Sequence, residues 1–316
     1  MGLLQNGKWV DQWYDTKSSN GEFKRHDSRF RHWVNSDANN PFQPESGRYR
    51  LYVSLACPWA HRTLIFRSLK LLESHIDVSI VDPLMLENGW AFTDETDGLA
   101  FLYQLYLKAD PGYEGGVTVP VLWDKQTQTI VNNESLEIIR MFNSAFNSLT
   151  GNHDDYYPVE LQGAIDTVNS RVYDAINNGV YRAGFATKQS AYQDAVIKLF
   201  DALDWVERLL SSQRYLAGDV ITEADWRLFT TLIRFDAVYV GHFKCNIRRI
   251  ADYPAISDYL RELYQIKGIA NTVDFAHIKT HYYVSHTTIN HPGLVPVGPE
   301  QDFSKAHHRE RLPGIA

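Results

Sequence analysis

The chain has 316 residues, 44% of them hydrophobic, which is enough for two domains of ordinary size with separate cores. Its 31 basic and 38 acidic side chains give a formal net charge of −7. We expect no nucleic-acid partner, because no basic excess is present to neutralise phosphates. No apolar run approaches the ~20 residues of a membrane span. The N-terminus lacks the pattern of a secretion signal, so we expect neither a membrane partner nor export.

The cysteine content points to a reducing compartment. The two cysteines, Cys57 and Cys245, lie far apart and do not have the spacing of metal ligands. The twelve histidines are scattered along the chain, so no metal cofactor is expected. A secreted disulfide framework is therefore disfavoured, and a cytoplasmic location is favoured.

The first 45 residues form an N-terminal extension with little periodicity but many aromatic side chains. Such a composition is not typical of a disordered arm, and we expect the extension to pack on a folded body through its aromatic residues. These residues are Trp9, Trp13, Tyr14, Phe23, Phe30 and Trp33.

Residues 46–150 carry the pattern of a compact α/β domain. Strand-forming runs predict strands, and apolar residues at helical spacing predict helices. In chain order we predict strand 48–55, helix 58–72, strand 76–81, a long connection 82–116 with a short helix near 99–107, strands 118–123 and 129–131, and helix 135–146. This order is a βαβ unit followed by a ββα unit.

Residues 151–285 show only helical periodicity, and we predict an all-helical domain there. One helix begins at Thr222, where a capping box with Asp225 marks the start. The apolar run 226–240 that follows is expected to be a buried central helix. Residues 286–316 contain several prolines and are predicted to form an irregular C-terminal tail.

Cys57 stands between a predicted strand and a predicted helix, directly before Pro58. Proline suits the first helical position, so Cys57 is expected at the N-cap, facing the amides and positive dipole end of the first turn. The pKa of such a thiol can fall from about 8.5 into the range of roughly 3.5 to 7.5. Ala60 occupies the second position of a Cys-X-X-Cys pair, so a mixed disulfide on Cys57 needs an external thiol, which points to glutathione. The alternative is a small buried hydrophobic residue, which is the role we assign to Cys245.

Two further segments support a thiol-binding site. Pro120 lies between strand-forming runs, where it cannot donate to a ladder. In thioredoxin-like proteins a cis-proline beside the active cysteine leaves the backbone of the preceding residue, here Val119, able to pair with a bound thiol peptide. Glu134 and Ser135 precede a predicted helix, whose N-terminus can bind an ammonium and a carboxylate. Each segment has an ordinary alternative, an edge proline and a helix cap.

Taken together, these motifs resemble a known family. The cis-proline hairpin, the Glu134–Ser135 pair and the helical half are similar to the cytosolic glutathione transferases. Three segments more closely resemble the glutathionyl-hydroquinone reductases, which are the Xi class: 57–62 (CPWAHR), 117–124 (VTVPVLWD) and 281–286 (HYYVSH). The resemblance covers nearly the whole chain. It implies a thioredoxin-like α/β N-terminal domain, an all-α C-terminal domain and a homodimer.

The resemblance also implies an activity, the glutathione-dependent reduction of glutathionyl-hydroquinones to hydroquinones with release of glutathione disulfide. Glutathione would be the co-substrate and Cys57 the nucleophile. The implied glutathione-binding residues are Trp90, Val119, Glu134 and Ser135. The implied hydroquinone-binding residues are Tyr181, Tyr239 and Tyr282, of which Tyr181 and Tyr282 would also be catalytic. Many relatives carry an arginine just before the Val-Thr-Val-Pro segment, where this chain has Gly116, so one cationic contact to glutathione is missing or is supplied from elsewhere.

Three alternatives stay open at this point. A conjugating glutathione transferase needs a serine or tyrosine hydroxyl to activate glutathione, which Cys57 does not provide. An Omega-like thiol transferase or dehydroascorbate reductase would use the same cysteine chemistry. A non-catalytic binding module with the transferase fold would have no need for a reactive thiol.

Overall fold

The structure is a computed structural model that describes residues 2–12, 16–25, 27–96 and 98–314. Of the N-terminal aromatic residues, Trp13 and Tyr14 lie outside the described residues. The chain folds as two compact units. Within the described residues, the first unit comprises 2–12, 27–96, 98–154 and 276–281, and the second comprises 16–25, 155–275 and 282–314.

The strands of the first unit form two sheets. The strands, in chain order, are β1 (Leu3–Gln5), β2 (Lys8–Val10), β3 (Tyr49–Val53), β4 (Ile76–Leu86), β5 (Gly89–Thr96), β6 (Leu99–Phe101), β7 (Gly115–Gly116), β8 (Val121–Asp124) and β9 (Thr129–Asn132). The larger sheet has the order β6-β5-β4-β3-β8-β9, and the smaller has the order β2-β1-β7. Only β3 and β4 are parallel among these pairs of described strands.

The predicted βαβ-ββα order is confirmed. Helix α1 (Pro58–Leu69) connects the parallel strands β3 and β4, and β8 pairs antiparallel with β3. After α2 (Leu102–Ala109), the β8–β9 hairpin leads into α3 (Ser135–Ser144) and the short α4 (Asn147–Thr150). The core lies around β3 and β8, which are buried at nearly every residue, and α1 and α3 bury their apolar faces.

The prediction of a long connection over 82–116 is partly wrong. Strand β4 continues to Leu86 and turns back into β5, and β6 then pairs with β5. Gly89 has a φ of +72°, the left-handed conformation that such a hairpin places on glycine. The Asn88–Gly89 pair was a hairpin signal in the sequence. The expected short helix is present as α2.

Two aromatic residues of the N-terminal extension, Trp9 and Phe30, pack on the first unit as predicted, whereas Trp33 is 40% exposed. A turn with positive φ at Asn6 (50°) and Gly7 (70°) joins β1 to β2. Further along, the ring of Phe30 stacks on Tyr113 with centroids 5.5 Å apart. Trp9 stacks on Tyr103 at 5.3 Å.

The second unit is helical. Its helices are α5 (Gln162–Val172), α6 (Gly179–Gly184), α7 (Gln189–Leu210), α8 (Glu223–Arg234) and α9 (Pro254–Gln265), with π-helical turns at Tyr173–Asn177 and Phe235–Tyr239. Every residue of α8 is buried, which confirms the predicted central helix. Helix α10 (Phe275–Ser285) has its residues 276–281 in the first unit and 282–285 in the second.

The C-terminal tail is irregular, as predicted, apart from one 3₁₀ turn at Arg309–Arg311. Arg309 is fully buried and donates to the carbonyls of Leu210 and Gln213 at 2.6 and 2.8 Å. Leu210 is the last residue of α7 and Gln213 follows shortly after it, so this basic side chain satisfies orphan acceptors at the end of the helix. Among the helices that the structure describes, none combines the length and apolar character needed to cross a bilayer.

Candidate active site

Cys57 is the N-cap of α1, as the sequence predicts. Its backbone is extended (φ −76°, ψ 119°), and Pro58 occupies the first helical position. The Ala60 amide donates to Cys57 Sγ at 3.5 Å. The sulfur is half-buried and forms no disulfide. A sulfur in this place receives a backbone donor and the positive end of the helix dipole, and both favour the thiolate over the thiol.

Val119 lies directly against this sulfur. The Val119–Pro120 peptide bond is cis, as predicted. Cys57 Sγ donates to the Val119 carbonyl at 3.5 Å. Cys57 and Val119, which are 62 positions apart in the chain, are therefore in contact within the first unit. A peptide whose thiol is joined to Cys57 would have this backbone segment within hydrogen-bonding range.

The N-terminus of α3 carries the third predicted segment. The Glu134 carboxylate is the N-cap acceptor for the Leu136 amide at 3.2 Å, and it also accepts from the Ser28 hydroxyl at 3.3 Å. Ser135 is buried, and its hydroxyl oxygen accepts from Arg62 at 3.5 Å. Arg62, which the sequence left unassigned, therefore reaches from the Cys57 helix to the start of α3.

Tyr106 connects the two predicted glutathione-binding segments. It is fully buried on α2, and its hydroxyl donates to the Thr118 carbonyl at 2.8 Å. The same oxygen accepts from the Asn133 side chain at 3.2 Å and from the Thr118 amide at 3.3 Å. Burial raises the pKa of Tyr106, so this phenol is neutral at pH 7. The Tyr106 hydroxyl thus joins Thr118 to Asn133, the residues directly before Val119 and Glu134.

Trp90 lies at the start of β5 and is almost buried. Its ring stacks on His281 with centroids 4.8 Å apart and an interplanar angle of 22°. His281 Nδ1 is 3.0 Å from the Pro83 carbonyl of β4. These contacts restrain the tryptophan ring, and they explain why a histidine opens the 281–286 segment.

The three predicted tyrosines form one cluster in the second unit. The hydroxyl oxygens of Tyr181 and Tyr282 are 2.5 Å apart, and those of Tyr239 and Tyr282 are 3.2 Å apart. All three side chains are buried. Burial raises the pKa of Tyr239 well above its usual value, with the neighbouring Tyr282 adding to the shift. The three hydroxyls therefore form a hydrogen-bonded chain of phenol groups.

Two solved structures resemble this chain over most of their length. The glutathione-bound structure of YqjG from Escherichia coli K-12 has a TM-score of 0.86 and 55% identity, covering 89% of this chain and 96% of that one. The Xi-class transferase of Natrialba magadii has a TM-score of 0.92 and 47% identity, covering 100% and 98%. Family models for the glutathione S-transferase N-terminal and C-terminal domains match residues 56–145 and 189–262.

The curated relatives agree with these structures. The glutathionyl-hydroquinone reductase YqjG of E. coli (strain K12) is 56% identical over 98% of this chain and 99% of its own length. The chain belongs to the Xi class of the glutathione transferases. The glutathionyl-hydroquinone reductase PcpF of Sphingobium chlorophenolicum is 53% identical over 95% of this Xi-class chain and 97% of its own length.

Membership of the Xi class confirms the predicted fold, a thioredoxin-like N-terminal domain followed by a helical domain. Within the first unit, Cys57 Sγ contacts the Val119 carbonyl. Glu134 accepts from the Leu136 amide, and Ser135 accepts from Arg62. Within the second unit it brings the three tyrosines together. Cys245 is buried, and burial strongly raises the pKa of its thiol, which suits the structural role we predicted.

Sequence reasoning missed several residues around the tyrosine cluster of this Xi-class chain. The Arg25 guanidinium lies 5.2 Å from the centroid of the Tyr181 ring. His242 Nε2 is 3.0 Å from His286 Nδ1, and the ring of His286 packs edge-on against Tyr282. Burial lowers the pKa of His242 to about 4, so its ring is neutral at pH 7. Within the described ranges, no three His, Cys, Asp or Glu side chains are grouped so as to hold a metal ion.

Replacing Tyr106 with phenylalanine is expected to raise the KM for glutathione about threefold to thirtyfold, with a smaller change in kcat. The variant removes the hydroxyl that joins Thr118 to Asn133 and leaves a buried amide without its acceptor. Steady-state kinetics at varied glutathione would measure both constants. Tyr103→Phe, on the same helix, is the matched control and should behave like the parent. Equal KM values for the two variants would contradict the connecting role of Tyr106.

Proposed function

We propose that this chain reduces glutathionyl-hydroquinones to hydroquinones through a Cys57–glutathione mixed disulfide. The observation that carries the proposal is the position of Cys57 Sγ, 3.5 Å from the Ala60 amide and 3.5 Å from the Val119 carbonyl. No second thiol can resolve a disulfide at this place, because Ala60 occupies the position and the other cysteine is buried in the second unit. The two relatives named above as glutathionyl-hydroquinone reductases support the same reaction.

The reaction takes place in two displacements. In the first, the Cys57 thiolate attacks the thioether sulfur, a sulfur–sulfur bond forms, and the bond between sulfur and the ring carbon breaks. The ring carbon leaves with the electron pair and takes up a proton, which gives the hydroquinone. In the second, the thiolate of another glutathione attacks the mixed disulfide, releasing glutathione disulfide and the Cys57 thiolate. Overall, one glutathione is consumed and supplies the proton.

The first unit supplies the proposed glutathione contacts. The Val119 backbone pairs with the cysteinyl part of the tripeptide. Glu134 accepts from the γ-glutamyl ammonium, and Ser135 with the first amides of α3 holds the carboxylate beside it. Trp90 packs against the tripeptide. Arg62 and Tyr106 act through these residues by fixing their positions.

The second unit supplies the proposed contacts to the ring. Tyr181, Tyr239 and Tyr282 have the chemistry to hydrogen-bond phenolic oxygens. Tyr181 and Tyr282, whose hydroxyls are 2.5 Å apart, are proposed to protonate the leaving carbon as well. The phenol that accepts this hydrogen bond is the better proton donor, because the bond stabilises the phenolate that donation leaves behind.

Three wider features belong to the same proposal. The division of the chain into an extension (1–45), a glutathione-binding domain (46–150), a helical domain (151–285) and a tail (286–316) is proposed from the sequence pattern. A cytoplasmic location is proposed because the reaction consumes glutathione. A homodimer is proposed from the Xi-class resemblance.

Mass spectrometry tests the central intermediate. Exposure of the protein to glutathionyl-hydroquinone without added glutathione is expected to add the mass of one glutathionyl group to the peptide that contains Cys57. Cys57→Ala is expected to acquire no adduct, and Cys245→Ala is expected to acquire it like the parent. A parent protein that stays unmodified would favour the non-catalytic binding module.

Competing substrates separate this function from an Omega-like one. We expect kcat/KM to be highest for glutathionyl-hydroquinone among glutathionyl-hydroquinone, dehydroascorbate and hydroxyethyl disulfide, all assayed at the same glutathione concentration. The thiol chemistry is common to all three, so only the ring contacts distinguish them. If the hydroquinone adduct proved the poorest of the three, the Omega-like alternative would replace this proposal.

A further inference from the structure

Strand β7 lies shortly before the proposed glutathione-binding residue Val119 and consists of two glycines. Its residues, Gly115 and Gly116, have no side chains. Gly115 has a φ of +133°, in the region that favours glycine. Gly116 is not in that region, and a Cβ built on it would meet only the Thr118 methyl, 3.9 Å away. A Cβ at Gly116 would therefore fit, and the backbone does not require glycine there.

A guanidinium from the N-terminal extension lies beside this strand. Arg29 Cζ is 5.7 Å from the centroid of the Tyr113 ring, and it would be 3.9 Å from a Cβ built on Gly115. The Arg29 side chain is exposed. Tyr113 in turn donates to the Gly116 carbonyl at 2.9 Å, so the guanidinium lies within cation–π range of a ring that is hydrogen-bonded to β7.

The residues on both sides of Arg29 are hydrogen-bonded to the loop before α3. The Ser28 hydroxyl donates to the Asn133 carbonyl at 3.1 Å, and it also contacts the Glu134 carboxylate. The Phe30 amide donates to the Asn133 side chain at 3.1 Å. Arg29 therefore lies near β7, and the residues on both sides of it are hydrogen-bonded to a proposed glutathione-binding loop.

We propose that Arg29 binds a carboxylate of glutathione and supplies the cation that Gly116 lacks. Glutathione has two carboxylates and one ammonium at neutral pH. Glu134 is suited to the ammonium, whereas a carboxylate is bound most strongly by a planar guanidinium that donates two parallel hydrogen bonds. The Tyr113 ring, within cation–π range of the guanidinium, favours this position of the charge before glutathione arrives. This inference rests on the proposed function, and it assigns a binding residue to the extension.

Calorimetry on a Cys57→Ala background tests the inference without turnover. We expect Arg29→Gln to raise the Kd for glutathione about tenfold. Adding Gly116→Arg to Arg29→Gln is expected to restore the Kd to within about threefold of the background protein. Lys24→Gln, which removes one exposed charge from the same extension, is the control and should leave the Kd unchanged.

A second ligand identifies the carboxylate. If Arg29→Gln weakens glutathione but not γ-glutamylcysteine, Arg29 binds the glycine carboxylate. If it weakens both equally, Arg29 binds the γ-glutamyl carboxylate. An unchanged Kd for both ligands, or a loss of the same size in Lys24→Gln, would overturn the assignment while leaving the proposed function standing. A background protein that binds no glutathione would overturn both.

Discussion

Cys57→Ser is expected to lower reductase turnover by on the order of 10³-fold or more, because a serine hydroxyl is not ionised near neutral pH and forms no disulfide. The substitution keeps an N-cap side chain that can accept from the Ala60 amide. The fold and the proposed glutathione-binding segments should therefore be unaffected. Turnover with glutathionyl-hydroquinone and the Kd for glutathione, measured on the same preparation, separate loss of chemistry from loss of binding.

The control for this variant is Cys245→Ser, which changes the other cysteine of the chain. Cys245 is buried in the second unit and lies outside the proposed chemistry, so the folded fraction of this variant should retain turnover. Weak transferase activity in Cys57→Ser is compatible with the proposal, because a hydroxyl can activate bound glutathione for conjugation. Reductase turnover at the parental rate in Cys57→Ser would refute the role of the thiolate.

Asp225→Ala is expected to lower the free energy of unfolding by about 3 to 5 kcal/mol. The Asp225 carboxyl group is fully buried and accepts from the Thr222 amide at 2.8 Å and the Leu216 amide at 2.9 Å. It also accepts from the Tyr259 hydroxyl at 2.7 Å. Alanine would leave these donors buried without an acceptor and would remove the cap of the central helix α8.

Urea unfolding followed by circular dichroism would measure this loss. Asp225→Asn keeps one acceptor oxygen and should be destabilised by less than the alanine variant. The exposed Asp219, in the loop before α8, provides the surface control, and Asp219→Ala should change stability by no more than about 0.5 kcal/mol. A loss below about 1 kcal/mol in Asp225→Ala would show that water or another group replaces the carboxyl acceptor.

The sequence predicted local structure correctly where a few adjacent residues determine the geometry. Cys57 before Pro58 predicted the N-cap, and Thr222 with Asp225 predicted the start of α8. The length of β4 was misjudged, although Asn88–Gly89 carried the hairpin signal, because Asp82 and Pro83 interrupt the strand-forming run after Val81. The strand continues through them and pairs with β5 up to Leu86.

The sequence by itself determined which sulfur can be the nucleophile, because a cysteine before a helix-starting proline meets backbone amides of its own first turn. Only the tertiary structure decided that Tyr106 joins Thr118 to Asn133, that Arg62 reaches Ser135, and that Arg29 stands beside Gly115. These contacts connect residues far apart in the chain. The packing of strands and helices determines which residues come into contact, and no short run of sequence contains that information.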